Sequence, residues 1–116
     1  MDDSLDGTAV VDPDTLTRRL PPERELRQCV VDTARLFGWL VYWTHRSEHS
    51  PAGFPDLVLL RDRSILWVEL KRDERDHLRR EQQQWADRLI AAGQDWRRWT
   101  WTSWHSGEIE RALQRD

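Results

Sequence analysis

The stretch GFPDLVLLRDRSILWVELKRD, residues 53 to 73, decides how this chain folds. It contains two apolar runs, residues 55–60 and 65–71, which are separated by the polar residues 61–64. Two short apolar runs on either side of a polar tetrapeptide are typical of a β-hairpin. We therefore expect two antiparallel strands joined by a tight turn.

The turn determines which charged side chains meet. If it is centred between Asp62 and Arg63, Asp56 lies directly opposite Glu69 on the neighbouring strand. Lys71 points to the same side as Glu69, because side chains in a strand alternate with a period of two. One end of the hairpin is thus expected to carry two carboxylates and one ammonium on a single face.

The two faces of the hairpin differ in character. One face is apolar up to the three charged residues at its end, and the other is apolar throughout. We expect helices to cover both faces. The wholly apolar face consists of Leu57, Leu59, Leu66, Val68 and Leu70.

Two carboxylates this close repel one another unless a positive group joins them. Mg²⁺ is a natural candidate, since it accepts one or two protein carboxylates together with waters and phosphate oxygens. An ammonium beside such an ion can orient or deprotonate an attacking water and offset charge on a transition state. A plain salt bridge from Lys71 to Asp56 or Glu69 is the alternative that the spacing leaves open.

Lys71 is the only lysine among the 18 lysine and arginine residues of the chain. Were basic residues distributed without regard to chemistry, the lone lysine would fall at this position roughly one time in 18. Arginine suits a salt bridge but is a poor substitute for a compact charge that must be able to lose a proton. The lysine therefore favours water activation over a simple ion pair.

The rest of the chain alternates helical and strand-like patterns, which predicts an α/β domain with a central mixed sheet of four strands flanked by helices. The predicted order is helix, strand, hairpin, helix, strand, helix. Outside the hairpin, the predicted elements are a helix from Glu23 to a stop at Gly38, a strand at 39–43, a helix at 76–92, a strand at 96–101 and a helix at 107–114.

Charge is unevenly distributed along the chain. Residues 1–16 hold five aspartates and no basic residue, and we expect residues 1–18 to be a flexible acidic tail ahead of a single domain at 19–116. The remainder is mildly basic, which permits a phosphate-binding face. The single cysteine, Cys29, excludes an internal disulfide. Because no apolar run is long enough for a membrane helix and the start is unlike a signal peptide, a cytoplasmic location is expected.

The first turn of the first helix carries Glu23 and Glu25. At about 100° per residue, the apolar side of the helix centres about 40° from Glu23 and about 120° from Glu25. Glu23 is therefore the acid expected to lean toward the core. A favourable interaction with the helix dipole is the alternative role for it.

The residues Gly53-Phe54-Pro55-Asp56, followed by Glu69-Leu70-Lys71, resemble the PD-(D/E)XK nuclease motif. The surrounding pattern resembles the VRR-NUC branch of that superfamily, in particular short stand-alone phage proteins similar to Holliday-junction resolvases. The resemblance extends from about Glu23 to the C-terminus and implies a restriction-endonuclease-like core. Further matches are Glu23 opening the first helix, the stop at Gly38 and Trp39, and Gln82 followed by Trp85 in the second helix.

The resemblance implies a metal-dependent endonuclease that hydrolyses DNA, with branched or junction DNA favoured, and a homodimer. A replication or packaging protein is a possible partner, and a non-catalytic module for binding DNA or a protein is the alternative. The implied roles are Mg²⁺ or Mn²⁺ binding by Asp56, Glu69, the Leu70 carbonyl and Glu23, water positioning by Lys71, and contact of Gln82 with Lys71 or the scissile phosphate.

Basic residues around the proposed site are candidates for contacts with the DNA backbone. They are His45, Arg46, Arg72, Arg75 and Arg79, although solvated surfaces carry such residues routinely. His45 and His49 have a spacing seen in metal sites, but without cysteine partners they do not predict a zinc site.

Eight tryptophans are an unusual number for 116 residues. On the last strand, Arg97, Trp99 and Trp101 are expected to alternate onto one side, as a platform for bases or an apolar subunit interface. Core packing is the alternative that accounts for most of the eight. Any tryptophans that are exposed would favour an interface.

Overall fold

The structure is a computed structural model that describes residues 20–43 and 50–115. The acidic tail and the loop at 44–49 lie outside the described residues. In chain order the elements are α1 (Glu23–Leu36), β1 (Leu40–Trp43), β2 (Leu57–Arg61), β3 (Ser64–Leu70), α2 (Arg80–Ala91), β4 (Asp95–Trp99), α3 (Trp101–His105) and α4 (Glu108–Gln114).

The four strands form one mixed sheet in the order β1-β2-β3-β4. The first two pairings are antiparallel, and β3 pairs with β4 in parallel after the crossover through α2. Leu57 pairs with Val68 and Arg61 with Ser64, as expected for a turn centred between Asp62 and Arg63. The predicted fold class, element order and hairpin register are therefore confirmed.

The core lies on the wholly apolar face of the hairpin. Helices α1 and α4 pack on this face, where Trp39 donates a 2.9 Å hydrogen bond from Nε1 to the Leu113 carbonyl. The helix α1 supplies one stripe of buried residues at helical spacing. The buried residues of these elements are Leu26, Val30, Val31, Ala34, Leu57, Leu59, Leu66, Val68, Leu70, Ile109 and Leu113.

The opposite face of the sheet is only partly covered. Phe54 makes edge-to-face contacts with Trp67 of β3 and Trp85 of α2, so α2 covers the β3 side of this face. Toward β1 the face stays open, and Leu40 is 71% and Tyr42 59% exposed. Helical cover of this face therefore extends over about half of the sheet.

The start of the second helix and the end of the last strand differ from the sequence prediction by more than one residue. The second helix begins at Arg80 rather than Asp76, because carbonyls of the preceding segment bond to the Arg98 side chain and Arg79 is extended, with a ψ of 163°. The last strand ends at Trp99, since the Thr100 side chain caps a short helix by accepting a hydrogen bond from the Ser103 N–H.

These boundaries overturn the predicted surface platform on the last strand. Trp101 lies in α3 rather than in the strand, and both Trp99 and Trp101 are buried. All eight tryptophans lie within residues 20–43 and 50–115, and each is buried or half-buried. Core packing, the alternative interpretation, therefore accounts for Trp39, Trp99 and Trp101.

Within the described part of the chain, no helix is long and apolar enough to cross a membrane. Cys29 is half-buried on α1, beside the core.

Candidate active site

The open end of the hairpin brings Asp56 and Glu69 together. Asp56 immediately precedes β2, and its Oδ2 accepts a 2.8 Å hydrogen bond from the backbone N–H of Leu70, the residue that follows Glu69. The two carboxyl groups are also hydrogen-bonded to each other. The two acids thus lie close together just beyond the last paired residues of the hairpin, Leu57 and Val68, and the Leu70 amide orients one of them.

Glu69 is a buried acid, with 3% of its surface exposed. Burial, the negative charge of Asp56 and the hydrogen bond to it raise the pKa of Glu69 to about 9, while Lys71 acts in the opposite direction. At neutral pH the raised pKa favours the protonated form of Glu69. A site that must hold a proton to relieve repulsion is one where a cation can take the place of that proton.

Gln82 ties α2 to this pair. Its Nε2 donates a 2.8 Å hydrogen bond to Oε2 of Glu69, and its Oε1 accepts one of 2.8 Å from the N–H of Arg79. Because the backbone of Arg79 occupies the amide oxygen, the amide nitrogen faces Glu69. The resemblance implies contact with Lys71 or phosphate, whereas the observed partner of this buried side chain is Glu69.

Gly53 allows the loop before Asp56 to touch α2. It has a φ of +85°, and a Cβ atom at this position would lie 2.3 Å from the Glu81 carbonyl carbon and 2.6 Å from the Gln82 nitrogen. The same loop inserts Phe54 between Trp67 and Trp85. The glycine therefore sets the distance between the Asp56 loop and the helix that carries Gln82.

We expect Gly53→Ala to lower the free energy of unfolding by about 3 kcal/mol or more, because the methyl group adds a backbone clash to a left-handed conformation. Urea denaturation of the purified variant measures this. Gly93→Ala is the matched control, since Gly93 has a φ of +79° and nothing within 4 Å of the added Cβ. It should cost about 1 kcal/mol. Equal losses of unfolding free energy in the two variants would contradict the importance of the close approach of Gly53 to α2.

Glu23 faces the acid pair from the start of α1. Burial and the negative charge of Asp56 raise its pKa, and the positive charges of Lys71 and Arg27 oppose this. Glu25, by contrast, is exposed. The helical-face calculation therefore selected the acid that the structure places near the site.

Lys71 follows β3 and is held by β4. Its backbone N–H donates a 3.0 Å hydrogen bond to the carbonyl of Trp99, which continues the parallel pairing by one residue. Its side chain is half-buried and interacts electrostatically with Glu23 and Glu69. Among residues 20–43 and 50–115 the ion pairs are Arg75 with Asp73 and Arg97 with Asp95, so the plain salt bridge to Lys71 is absent there.

The carboxyl groups of the site suit one hard cation whose coordination the protein completes only in part. Within the described residues, no group of three or more His, Cys, Asp or Glu side chains is arranged to enclose a metal ion. Asp56 and Glu69 are two adjacent carboxyl groups, and Mg²⁺ is bound in proteins by one or two carboxylates plus substrate oxygens. Such a site leaves coordination positions for a phosphate group.

The residues predicted to contact the DNA backbone fall into three groups. His45 and Arg46 lie outside the described residues. Arg72 is half-buried, and its Nη2 donates to the carbonyl of Leu20, which ties it to the chain ahead of α1. Arg75 and Arg79 are exposed, and Arg79 lines a cleft together with Gln82, Asp56 and the loop at 50–55.

Arg98 is a residue near the site that the sequence did not single out. The parallel register pairs it with Glu69, so its side chain extends from the same face of the sheet. The stretch WRRWTW shows two adjacent arginines, but only the strand pairing distinguishes the one beside Glu69 from Arg97.

Comparison with known proteins agrees with this geometry. The VRR-NUC domain model matches residues 9–97. A solved structure described as "VRR_NUC domain" superposes with a TM-score of 0.62 at 20% identity, covering 80% of this chain and 95% of the other. A second, "VRR_NUC domain protein", gives 0.59 at 18% identity, covering 71% and 79%. No curated protein matches. On the extent of the domain match, the chain belongs to the VRR-NUC family of nuclease domains.

Proposed function

We propose that the chain is a Mg²⁺- or Mn²⁺-dependent endonuclease that hydrolyses phosphodiester bonds of DNA. The observation that carries this proposal is the buried Glu69 carboxyl, hydrogen-bonded to Asp56 and to Gln82, with the only lysine of the chain two residues away. An arrangement that only stabilises the fold would have little reason to bury Glu69 beside a second, half-buried acid.

Each residue of the site has a distinct part in the proposed reaction. Asp56 and Glu69, with the Leu70 carbonyl, would hold the cation, and Glu23 would approach it from α1. The bound cation would offset the negative charge that grows on the phosphate oxygens during hydrolysis. Lys71 orients the attacking water and accepts or shares its proton. Gln82 keeps the Glu69 carboxylate turned toward the substrate, because its amide is itself fixed by Arg79.

Finer features of the proposal come from the family. Branched or junction DNA is the favoured substrate, the active form is a homodimer in the cytoplasm, and a replication or packaging protein is a candidate partner. A catalytically inactive module for binding DNA or a protein is the competing function. The presence of Asp56, Glu69 and Lys71 in one place favours the enzyme over that module.

The proposal is tested by incubating the purified protein with linear, flap and four-way DNA in the presence of Mg²⁺ or Mn²⁺. We expect nicking or cutting of the branched substrates, and complete loss of product when EDTA removes the cation. Addition of excess Mg²⁺ should restore it, which separates chelation from denaturation. Cleavage that persists in EDTA would contradict the metal mechanism, and metal-independent binding without any cleavage would favour the competing module.

A further inference from the structure

The chain between Lys71 and α2 forms an irregular segment at 72–79. It carries three acids and three arginines. It contains a turn in which the N–H of Asp76 donates a 3.0 Å hydrogen bond to the Asp73 carbonyl. Its backbone is neither helix nor strand. Its path must therefore be determined by contacts with other elements.

Arg98 makes the largest set of these contacts. Its Nη2 lies 3.1 Å from the carbonyl oxygens of Asp73 and Glu74 and 2.6 Å from that of Asp76. One guanidinium nitrogen of Arg98 is thus hydrogen-bonded to three carbonyl oxygens of the segment. The adjacent Arg97 instead pairs with Asp95 on its own strand.

A second attachment comes from the start of α3. Both carboxylate oxygens of Glu74 accept hydrogen bonds, one from the Thr100 hydroxyl and one, at 2.9 Å, from the Thr102 hydroxyl. Thr100 is also the residue that caps α3. The segment is therefore fastened to β4 through its carbonyls and to α3 through an acidic side chain.

The charged side chains of the segment differ in their exposure and in their partners. The Asp73 side chain is only 12% exposed and accepts a 2.8 Å hydrogen bond from the N–H of Arg75, while Glu74 is bonded to the two threonines. The Arg75 side chain is 46% exposed, and Arg79 is also exposed. Glu74 is thus bonded to the two threonines and Asp73 to Arg75, whose side chain keeps nearly half of its surface exposed while its Nε lies 3.4 Å from Asp73 Oδ1.

We propose that Arg98 is a positioning residue for nucleic-acid binding. By holding the segment at 73–76, it places Arg75 and Arg79 where they contact phosphate groups that flank the one being cut. A segment fixed beforehand binds more tightly than one that must become ordered on binding. The inference rests on the proposed function, because it names how that same site holds the backbone of its substrate.

The test measures binding of fluorescently labelled duplex DNA by anisotropy at several salt concentrations, in a Glu69→Ala background so that DNA is not cut. We expect Arg98→Ala to weaken binding about tenfold. The salt slope, which is the slope of the logarithm of the binding constant against the logarithm of the salt concentration, should fall by the equivalent of about two phosphate contacts, although only one charge is removed. Arg97→Ala is the matched control, since it removes the same charge from the same strand. It should leave the salt slope within one contact of the parent.

A combined variant separates positioning from direct contact. If Arg98 acts through Arg75 and Arg79, adding Arg98→Ala to the double variant Arg75→Ala/Arg79→Ala should change affinity less than twofold. If Arg98 itself touched phosphate, the effects would multiply, and the inference would be overturned. Arg98→Lys should bind with intermediate affinity, because an ammonium can satisfy some of the three carbonyls.

Thr102→Val covers the case in which Arg98→Ala does not fold. It removes one hydrogen bond to Glu74 at an exposed position, and we expect a smaller loss in the same direction, about twofold, with an unchanged melting temperature. Unchanged binding in Arg98→Lys and Thr102→Val, or equal losses in Arg97→Ala and Arg98→Ala, would overturn the positioning role. Failure of the unsubstituted site to cut any DNA would instead count against the proposed function.

Discussion

Glu69→Ala is expected to reduce DNA cleavage about 10³-fold or more while the protein still binds DNA. Glu69 is the acid that contacts both Asp56 and Gln82, so its removal leaves a single carboxylate to hold the cation. Cleavage is measured with a labelled branched substrate at saturating Mg²⁺, and binding by anisotropy under the same conditions without metal.

The buried position of Glu69 requires a check on folding. Because burial disfavours its carboxylate, the substitution removes a group that costs stability when charged, and we expect the variant to remain folded. Glu69→Gln provides a nearly isosteric version that should be equally inactive. Glu25→Ala is the matched control, since it removes one exposed acid from α1 and should cleave like the parent. Substantial activity in both Glu69 variants would remove the basis of the proposed site.

Lys71→Arg is expected to lower the cleavage rate about 10²-fold, nearly as much as Lys71→Ala. The substitution keeps the positive charge but replaces a compact ammonium with a planar group that does not lose its proton. Single-turnover rates at saturating enzyme measure the chemical step directly.

Arg63→Lys is the control for the exchange of arginine and lysine, because Arg63 lies exposed in the hairpin turn. It should cleave at the parent rate. If Lys71→Arg retained most of the activity and Lys71→Ala did not, a simple charge would suffice, and the water-orienting role would be wrong. The reason for the single lysine would then have to be sought elsewhere.

The part of the site that could be predicted from the sequence is the part that local rules determine. A short hairpin has its register set by its turn and its faces set by alternation, so the meeting of Asp56 and Glu69 at its open end could be predicted. The orientation of Glu23 followed from helical periodicity in the same way.

The remaining features depend on long-range pairing. The parallel register of β3 and β4 has no local determinant, and it alone puts Arg98 beside Glu69. The same residue explains why α2 starts four residues late, since its side chain binds carbonyls that a helix would otherwise use. The choice of Glu69 as the partner of Gln82 likewise depends on how α2 packs against the sheet.

The parallel pairing of β3 with β4 also bears on biosynthesis. Lys71 is held through the carbonyl of Trp99, so the strand that completes its surroundings is made 28 residues after it. A chain emerging from the ribosome exposes its N-terminal part first. An unfinished copy therefore has its acids but lacks the strand that holds its lysine, and under the proposed function it would not cut nucleic acid until translation has passed β4.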